Sequence, residues 1–242
     1  MIILAVGMPR AGSGWHYNLV HDLMATTGCD DARKIREDFG LQNILTEVNC
    51  NIGVLSLRRL FMVLRPALLG RTFVIKAHSA PTVWARALIK GGLMQTFYIY
   101  RDPRDAMLSA FDYGRRAVEK GRPNAFSHLT NFEQSVEFIS EYVAGWEQWM
   151  NIPAVFKTRY EDFLTNYETE AGRIARFMGL SLEDERVRAV IEQYRPGQTQ
   201  GQQGTHFFKG QIGRFRERYS AEEQAVLAKR FGASLGKMGY EI

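Results

Sequence analysis

The sequence predicts an α/β protein in which a central parallel sheet lies between two layers of helices. Four apolar runs of strand length alternate with segments whose apolar residues recur every three or four positions. A glycine-bearing turn follows the first run and leads directly into a helix. Strands that alternate with helices indicate βαβ units, and these units give parallel strands with helices on both faces. We therefore expect one three-layer α/β/α domain over residues 1–242.

The elements follow from local patterns along the chain. The predicted strands are residues 1–6, 72–77, 94–100 and 154–158, which are short and apolar. The predicted helices are residues 15–24, 81–90, 102–116, 132–150, 167–178 and 222–231. Residues 30–39 are charged and predict a surface loop or a short helix, while Pro66 is expected to break or bend any helix over 55–69. Residues 117–131 show no periodicity and are expected to form a surface loop.

Composition and charge narrow the classes of partner. Apolar residues make up 45% and charged residues 24% of the chain, which is typical of a globular protein with a sizeable core. The formal net charge of +5 favours an anionic ligand. We expect no nucleic-acid partner, because the basic residues are spread along the chain and no reader element is recognisable.

Cysteine usage and hydropathy suggest where the protein works. The two cysteines, Cys29 and Cys50, lack metal-ligand spacing and are expected to be free thiols in a reducing cytoplasm. The first residues lack the positive segment and the longer apolar run of a signal peptide. No apolar stretch has the length of a membrane span. The expectation is a cytoplasmic protein without a membrane partner.

The turn after the first strand has the chemistry of an anion-binding loop. Gly7 and Gly12 have the spacing of a Walker A loop, in which glycines let the backbone approach a phosphate and helix N–H groups point at it. Ser13 and Gly14 occupy the positions of the Walker lysine and hydroxyl residue. The loop is therefore expected to bind an anion without hydrolysing ATP, and a strand–turn–helix that binds nothing is the alternative.

Polar residues follow each of the other predicted strands. Lys76 and His78 follow the second strand, residues 101–109 the third, and residues 159–162 the fourth. Open parallel sheets bind ligands at the carboxyl ends of their strands, so these groups are expected to converge on the first loop. A glycine- and glutamine-rich segment, residues 193–203, leads into residues 206–214. It is either a lid that closes over a ligand or a disordered surface loop.

Together these motifs resemble the sulfotransferases that use 3′-phosphoadenosine 5′-phosphosulfate (PAPS), and the cytosolic type most closely. Residues 9–15 resemble the family's 5′-phosphosulfate loop, P-K-x-G-T-x-W. Residues 98–109 resemble the 3′-phosphate motif, Y-x-x-R-[ND]-x-x-D-x-x-x-S, and residues 208–213 resemble R-K-G-x-x-G. The resemblance covers residues 1–24, 72–116, 132–180 and 206–220. It implies a P-loop NTPase-like sulfotransferase fold.

The resemblance also implies residue roles. The implied catalytic residues are His78, the base, with Lys76 and Arg10 on the transferring group. The implied PAPS contacts are Arg10, Ala11, Gly12, Ser13, Gly14, Trp15, Arg101, Ser109, Tyr160, Phe208, Lys209 and Gly210. No metal is expected, because side-chain cations can stabilise a sulfuryl group. Singly, Arg101 could instead pair with Asp102 or Asp105, Trp15 and Tyr160 could be core residues, and His78 could be structural.

Two positions depart from the family pattern. Arg10 stands where the loop usually has lysine, which keeps the charge on a planar head. Phe208 stands where the family has arginine, so one cation for the 3′-phosphate is missing. Lys209, the amides around Gly210, or Arg214 are expected to compensate.

The function implied is transfer of a sulfuryl group from PAPS to a hydroxyl or amine of a small-molecule acceptor, with 3′-phosphoadenosine 5′-phosphate (PAP) as product. A P-loop kinase-like phosphotransferase and a non-catalytic nucleotide-binding protein of the same fold are the alternatives. Residues 28–71 and 117–131, which depart most from the motifs, are expected to wall the acceptor pocket but contain no substrate signature. The sequence leaves open which acceptor is used and whether the chain forms a homodimer.

Overall fold

A computed structural model of the protein describes residues 1–197 and 210–242, and its centre is one sheet. Four strands pair in the order β2-β1-β3-β4, and every pair is parallel. The strands are β1 Ile2–Gly7, β2 Phe73–Ala77, β3 Met94–Tyr100 and β4 Val155–Arg159. The predicted parallel sheet is thereby confirmed, with each predicted strand in place to within about two residues.

Helices connect and cover these strands. In the described part of the chain they are α1 Ser13–Ala25, α2 Ala32–Asp38, α3 Leu57–Leu68, α4 Val83–Lys90, α5 Pro103–Glu119, α6 Phe132–Met150, α7 Tyr160–Thr165, α8 Tyr167–Phe177, α9 Glu185–Gln193, α10 Phe215–Arg218 and α11 Ala221–Met238. None of these helices combines the length and apolarity needed to cross a bilayer.

Alternation along the central strand creates the three layers. Ile2, Leu4 and Val6 belong to one buried cluster, which is completed by residues from α2, α3, α4, α5, α6 and α11. Ile3 and Ala5 belong to a second cluster on the opposite face, completed by residues from α1, α7, α8 and α9. Successive side chains of a strand point to opposite faces of the sheet. A strand in which every residue is apolar must therefore be covered by helices on both faces.

The sequence missed or misplaced some helices. Helix α3 continues through Pro66 to Leu68, because a proline in the last turn removes only one hydrogen bond near an end that is already frayed. Helix α9 was not predicted, since its apolar spacing is sparse. Its start is fixed by the Asp184 carboxylate, which accepts a hydrogen bond of 2.8 Å from the backbone N–H of Arg186.

The strand order fixes where a ligand can bind. From β1 the chain passes to β2 on one side of it and then to β3 on its other side. This reversal opens a crevice at the carboxyl ends of β1 and β3. The Met8 N–H donates to the Ile99 carbonyl at 3.0 Å, so the loop after β1 starts beside the end of β3.

The loop over residues 120–131 is held against α5 by a close backbone approach. A Cβ atom added to Gly114 would lie 2.2 Å from the carbonyl oxygen of Phe126. The Ser127 hydroxyl also donates to the Gly114 carbonyl at 3.4 Å. This loop therefore packs on the helix only because residue 114 has no side chain.

Replacing Gly114 with alanine tests this contact. We expect Gly114→Ala to lower the free energy of unfolding by about 1–3 kcal/mol, because the added methyl group must displace backbone. Gly236→Ala is the matched control in helix α11, where an added Cβ meets nothing within 4 Å. That variant is expected to be stabilised by about 0.5–1 kcal/mol. Urea denaturation measures the free energy of unfolding of each variant. An equal change in the two variants would contradict the close approach of Phe126 to Gly114.

Candidate functional site

A cavity of about 610 Å³ lies at the carboxyl end of the sheet. It brings together most of the residues singled out from the sequence: Arg10, Gly12, Ser13, Gly14, Trp15, Lys76, His78, Arg101, Ser109, Tyr160 and Gly210. Ala11, in the same loop, is fully buried. Phe208 and Lys209 lie outside the described residues, as do residues 198–203 of the glycine- and glutamine-rich segment and His206 in the stretch that follows it. The strand-end groups therefore converge on one cavity, as the parallel topology requires.

The loop after β1 is shaped by two left-handed residues. Arg10 has φ 63° and Gly12 has φ 74°, and the former is uncommon for a residue with a side chain. A Cβ on Gly12 would lie 2.8 Å from the Tyr160 ring, so the ring packs directly on the loop. Helix α1 begins at Ser13 without a side-chain cap. Its first N–H groups are thus available to an anion in the cavity.

Arg10 is a half-buried cation on the cavity wall. Its Nε donates to the Ser109 hydroxyl at 3.3 Å, and its guanidinium lies 4.3 Å from the centre of the Tyr113 ring. Burial lowers the Arg10 pKa to about 10, so the side chain stays charged at neutral pH. Within the described chain no carboxylate forms an ion pair with it. A desolvated cation of this kind is stabilised by an anionic ligand.

Lys76 and His78 follow β2 and occupy the same cavity. Burial, together with the nearby Arg10 charge, lowers the Lys76 pKa to about 8. The His78 Nδ1 lies 2.7 Å from the carbonyl oxygen of Gly7. Because a carbonyl only accepts, Nδ1 carries the hydrogen and Nε2 keeps its lone pair. Burial and the Lys76 charge lower the His78 pKa to about 4, so the ring is neutral at pH 7.

Arg101 extends from the end of β3 toward the first loop. Its Nη1 donates to the Arg10 carbonyl at 3.4 Å and its Nη2 to the Gln211 carbonyl at 2.7 Å. The guanidinium lies 4.5 Å from the centre of the Tyr160 ring. Its Nε is buried without a hydrogen-bond partner in the described chain. Arg101 thus presents an incompletely satisfied cation to the cavity.

Asp105 is the acidic neighbour of Arg101, but most of its hydrogen-bonding capacity is used elsewhere. Its Oδ2 lies 3.4 Å from Arg101 Nη2, so the ion pair considered from the sequence is present but long. The same carboxylate accepts the N–H groups of Gly213 at 2.7 Å and Phe215 at 3.1 Å. Asp105 therefore anchors residues 213–215 against α5, at the edge of the cavity.

Trp15 and Tyr160, two of the implied PAPS contacts, pack in the core and also line the cavity. The Trp15 ring is 2% exposed, lies 4.0 Å from the Phe163 ring, and donates from Nε1 to the Tyr194 carbonyl at 2.8 Å. Tyr160 is 5% exposed and contacts both Gly12 and Arg101. Both rings are thus fixed by core contacts, as the core alternative anticipated, and they also border the cavity.

A second set of cavity residues was not named individually from the sequence, although six of them lie in the segments expected to wall the acceptor pocket, residues 28–71 and 117–131. The set is Thr46, Asn49, Asn51, Tyr113, Asn124, Phe126, His128, Phe138 and Tyr142. Tyr113 lies one helical turn beyond Ser109, so helical spacing was a usable signal. No sequence pattern pointed to Asn51, because an isolated β-bridge to Lys76 brings it to the site. Arg214 also lines the cavity, and its Nη2 lies 2.6 Å from Asp112 Oδ2.

The parallel sheet, the uncapped loop and the converging cations define an α/β protein that binds a phosphorylated or sulfated ligand. The family model described as the sulfotransferase domain matches residues 2–218. Because that match covers most of its length, this chain belongs to the sulfotransferase domain family.

Known proteins agree with this assignment. The chain is 25% identical over 126 residues to an amine sulfotransferase from Oryctolagus cuniculus, a match that covers 48% of this chain and 40% of that protein. It is similar to retinol dehydratase crystallised with androsterone and PAP, with a TM-score of 0.63, 17% identity, and coverage of 97% and 80% of the two chains. It is also similar to a mouse sulfotransferase complexed with PAP, with a TM-score of 0.61, 14% identity, and coverage of 97% and 84%. At these identities, the structural matches show the fold.

His16 was not assigned a role, and the structure buries it next to the loop. It is 0% exposed, and neither ring nitrogen has a hydrogen-bond partner in the described chain. Burial, together with the Lys76 charge, lowers its pKa to about 3. The folded protein therefore holds a neutral imidazole where the unfolded chain binds a proton below about pH 6.5.

Stability should consequently fall in acid through His16. The unfolded chain takes up a proton as the pH drops below about 6.5, and the folded chain does not until the pH nears about 3. Between about pH 7.5 and about pH 4.5, the wild type should lose about 2–3 kcal/mol more unfolding free energy than His16→Leu. Urea denaturation at both pH values measures this, with the pH 7.5 pair controlling for altered packing. Parallel losses would contradict the assignment.

Proposed function

We propose that the protein transfers the sulfuryl group of PAPS to a hydroxyl or amine of a small-molecule acceptor and releases PAP. One observation carries the proposal: a single cavity joins Arg10, Lys76 and a neutral His78 to Arg101 and Ser109 across the Gly12 turn. A donor with a 5′-phosphosulfate and a 3′-phosphate needs cations at two places with a nucleoside between them.

The first loop is proposed to hold the 5′-phosphosulfate. The backbone N–H groups of Ser13 and Gly14, where α1 begins without a side-chain cap in the described chain, supply neutral donors, while Arg10 and Lys76 supply charge. A sulfuryl group carries less charge than a phosphoryl group, so these cations are sufficient without a metal ion. The lowered Lys76 pKa of about 8 reflects the unliganded cavity, and an anion placed beside the ammonium group would favour its charged form.

Arg101 and Ser109 are proposed to hold the 3′-phosphate. The guanidinium is already aimed across the loop by its bonds to the Arg10 and Gln211 carbonyls. A phosphate would exchange these neutral acceptors for charged ones. Where the family pattern has arginine at position 208, this chain is proposed to rely on Arg214, which lines the same cavity.

His78 is proposed to be the general base. The Gly7 carbonyl fixes the tautomer, so Nε2 is the atom that accepts the acceptor's proton. The ring is neutral at pH 7, and the negative charge of a bound donor would raise its pKa from about 4 toward the range that suits a base. PAPS supplies the sulfuryl group, and PAP is the leaving group.

The acceptor is proposed to bind against the aromatic wall of the cavity. Tyr113, Phe126, Phe138 and Tyr142 line it, with Asn49, Asn51 and Asn124 as hydrogen-bonding groups. Flat rings with a few amides suit a compact organic alcohol or amine. The names of related proteins fit this class, since retinol dehydratase was crystallised with androsterone and with retinol.

Titration calorimetry with PAP and with ADP tests the donor assignment. We expect PAP to bind and ADP to bind at least about tenfold more weakly, since only PAP has the 3′-phosphate for Arg101. Arg101→Met should weaken PAP binding by about 10- to 100-fold and leave the affinity for ADP nearly unchanged. Arg218→Met, on helix α10 and outside the cavity lining, is the control. Preference for ADP, or magnesium-dependent ATP consumption, would indicate the kinase alternative.

Substitution of His78 tests the base. We expect His78→Ala to reduce sulfation of a screened alcohol or amine by about 10²- to 10⁴-fold. The PAP dissociation constant should change little, since the ring acts on the acceptor. His21→Ala, which removes an imidazole from α1 outside the cavity lining, should keep wild-type turnover. Labelled PAPS follows the reaction. An active His78→Ala enzyme would remove this residue from the base role, and PAP binding without sulfation of any acceptor would favour a non-catalytic protein.

A further inference from the structure

Exposed apolar residues are concentrated on helices α3 and α4 and in the residues next to them. Of the fourteen large hydrophobic residues exposed in the described chain, eight fall within residues 54–93: Val54, Leu57, Phe61, Leu68, Leu69, Val83, Trp84 and Leu93. Single exposed apolar residues need no explanation, but a cluster of them indicates a contact surface.

Helix α3 has an outward apolar stripe in addition to its buried one. Leu60, Val63 and Pro66 face the core. Leu57, Phe61 and Leu68 lie four and seven residues apart, which places them on one side of the helix, and they are 52%, 61% and 64% exposed. An outward stripe at this spacing contributes nothing to the core and is typical of a helix that rests on an apolar layer.

Helix α4 extends this stripe. The Thr82 hydroxyl, at the start of α4, donates to the Leu55 carbonyl at 2.7 Å, just before the start of α3. The two helix beginnings are therefore adjacent. This places Val83, 70% exposed, and Trp84, 48% exposed, beside the Leu57 end of α3. We call the eight exposed apolar residues, with Arg58 and Arg65, the α3–α4 surface.

The sequence stretch that forms this surface carries charge of one sign. Residues 48–101 contain no aspartate or glutamate, while their cations are Arg58, Arg59, Arg65, Arg71, Lys76, Arg86, Lys90 and Arg101. Arg58 and Arg65 are exposed on α3 beside the apolar stripe, and within the described chain neither forms a salt bridge. An exposed apolar stripe flanked by unpaired arginines combines the two attractions that hold a helix at an anionic lipid interface.

We propose that the α3–α4 surface docks this protein on anionic lipid bilayers, with helix α3 lying in the plane of the interface. Phe61, Leu57, Leu68 and Trp84 enter the acyl boundary, and Arg58 and Arg65 contact lipid phosphates. A second copy of the chain fits the surface less well, because in a two-fold contact the α3–α4 surface would offer its partner's Arg58 and Arg65 no carboxylate to pair with. The docking is peripheral, and it does not depend on the proposed function. It revises the sequence-based expectation that no membrane is a partner.

The tryptophans provide a built-in reporter. Trp84 is 48% exposed, whereas Trp15, Trp146 and Trp149 are at most 3% exposed. The experiment mixes the full chain with phosphatidylcholine vesicles that contain or lack phosphatidylglycerol, and measures flotation and tryptophan emission. We expect binding to the anionic vesicles, weakened by salt, with a blue-shifted emission that brominated lipids quench. Trp84→Phe should abolish the quenching while much of the binding remains.

Substitutions separate the two attractions. Arg58→Gln with Arg65→Gln should weaken binding by about 30-fold, at about 1 kcal/mol for each cation at a lipid surface. Phe61→Gln should weaken binding by about tenfold and reduce Trp84 quenching. Lys229→Gln with Arg230→Gln, two exposed cations on α11, is the matched control and should bind like wild type. All variants should keep the wild-type circular dichroism spectrum and urea midpoint, which shows that they fold.

Three outcomes would overturn the proposal. They are absence of binding to anionic vesicles, equal losses in the α3 and α11 charge variants, and binding without quenching of Trp84. Sedimentation equilibrium in the absence of lipid tests whether a second copy of the chain binds this surface. A concentration-dependent dimer that is lost in Phe61→Gln would assign the α3–α4 surface to a second copy of the chain instead.

Discussion

The cavity is governed by the cost of holding several cations out of water. Arg10, Lys76 and Arg101 share it, and burial lowers the pKa of both Arg10 and Lys76. Among the described residues, the carboxylate that forms a salt bridge with one of them is Asp105, which lies 3.4 Å from Arg101 and already accepts from two backbone N–H groups. Like charges in a desolvated space repel, and the unliganded protein bears that cost. A polyanionic ligand removes it, so the geometry selects for one.

The rest of the fold keeps these cations in place. The order β2-β1-β3-β4 sets Gly7, Lys76 and Arg101 at neighbouring strand ends. The Gly12 turn brings Tyr160 onto the loop, and that ring lies against Arg101. Each of these contacts is made by an element whose apolar face is buried elsewhere, so the fold itself sets the positions of the cations.

The same acid-free part of the sequence serves two purposes. Residues 48–101 carry Lys76 and Arg101 into the cavity and place Arg58 and Arg65 on the outside of α3. Inside, the missing carboxylates leave the cations for a ligand. Outside, the same lack leaves an apolar stripe with charge of one sign, which favours an anionic layer over a second copy of the chain.

The sequence by itself determined the strands, the parallel sheet, the anion loop and its family resemblance. Unbroken apolar runs must be buried on both faces, and strand-end motifs such as Lys76-Ala77-His78 must then converge. Only the tertiary structure decided which residues complete the cavity. Asn51 and Phe126 enter through loops whose paths depend on contacts distant in sequence, such as the approach of Phe126 to Gly114. It also decided that His16 is buried with no hydrogen-bond partner among the described residues and that Phe61 is exposed, because local periodicity does not say which of two apolar stripes packs in the core.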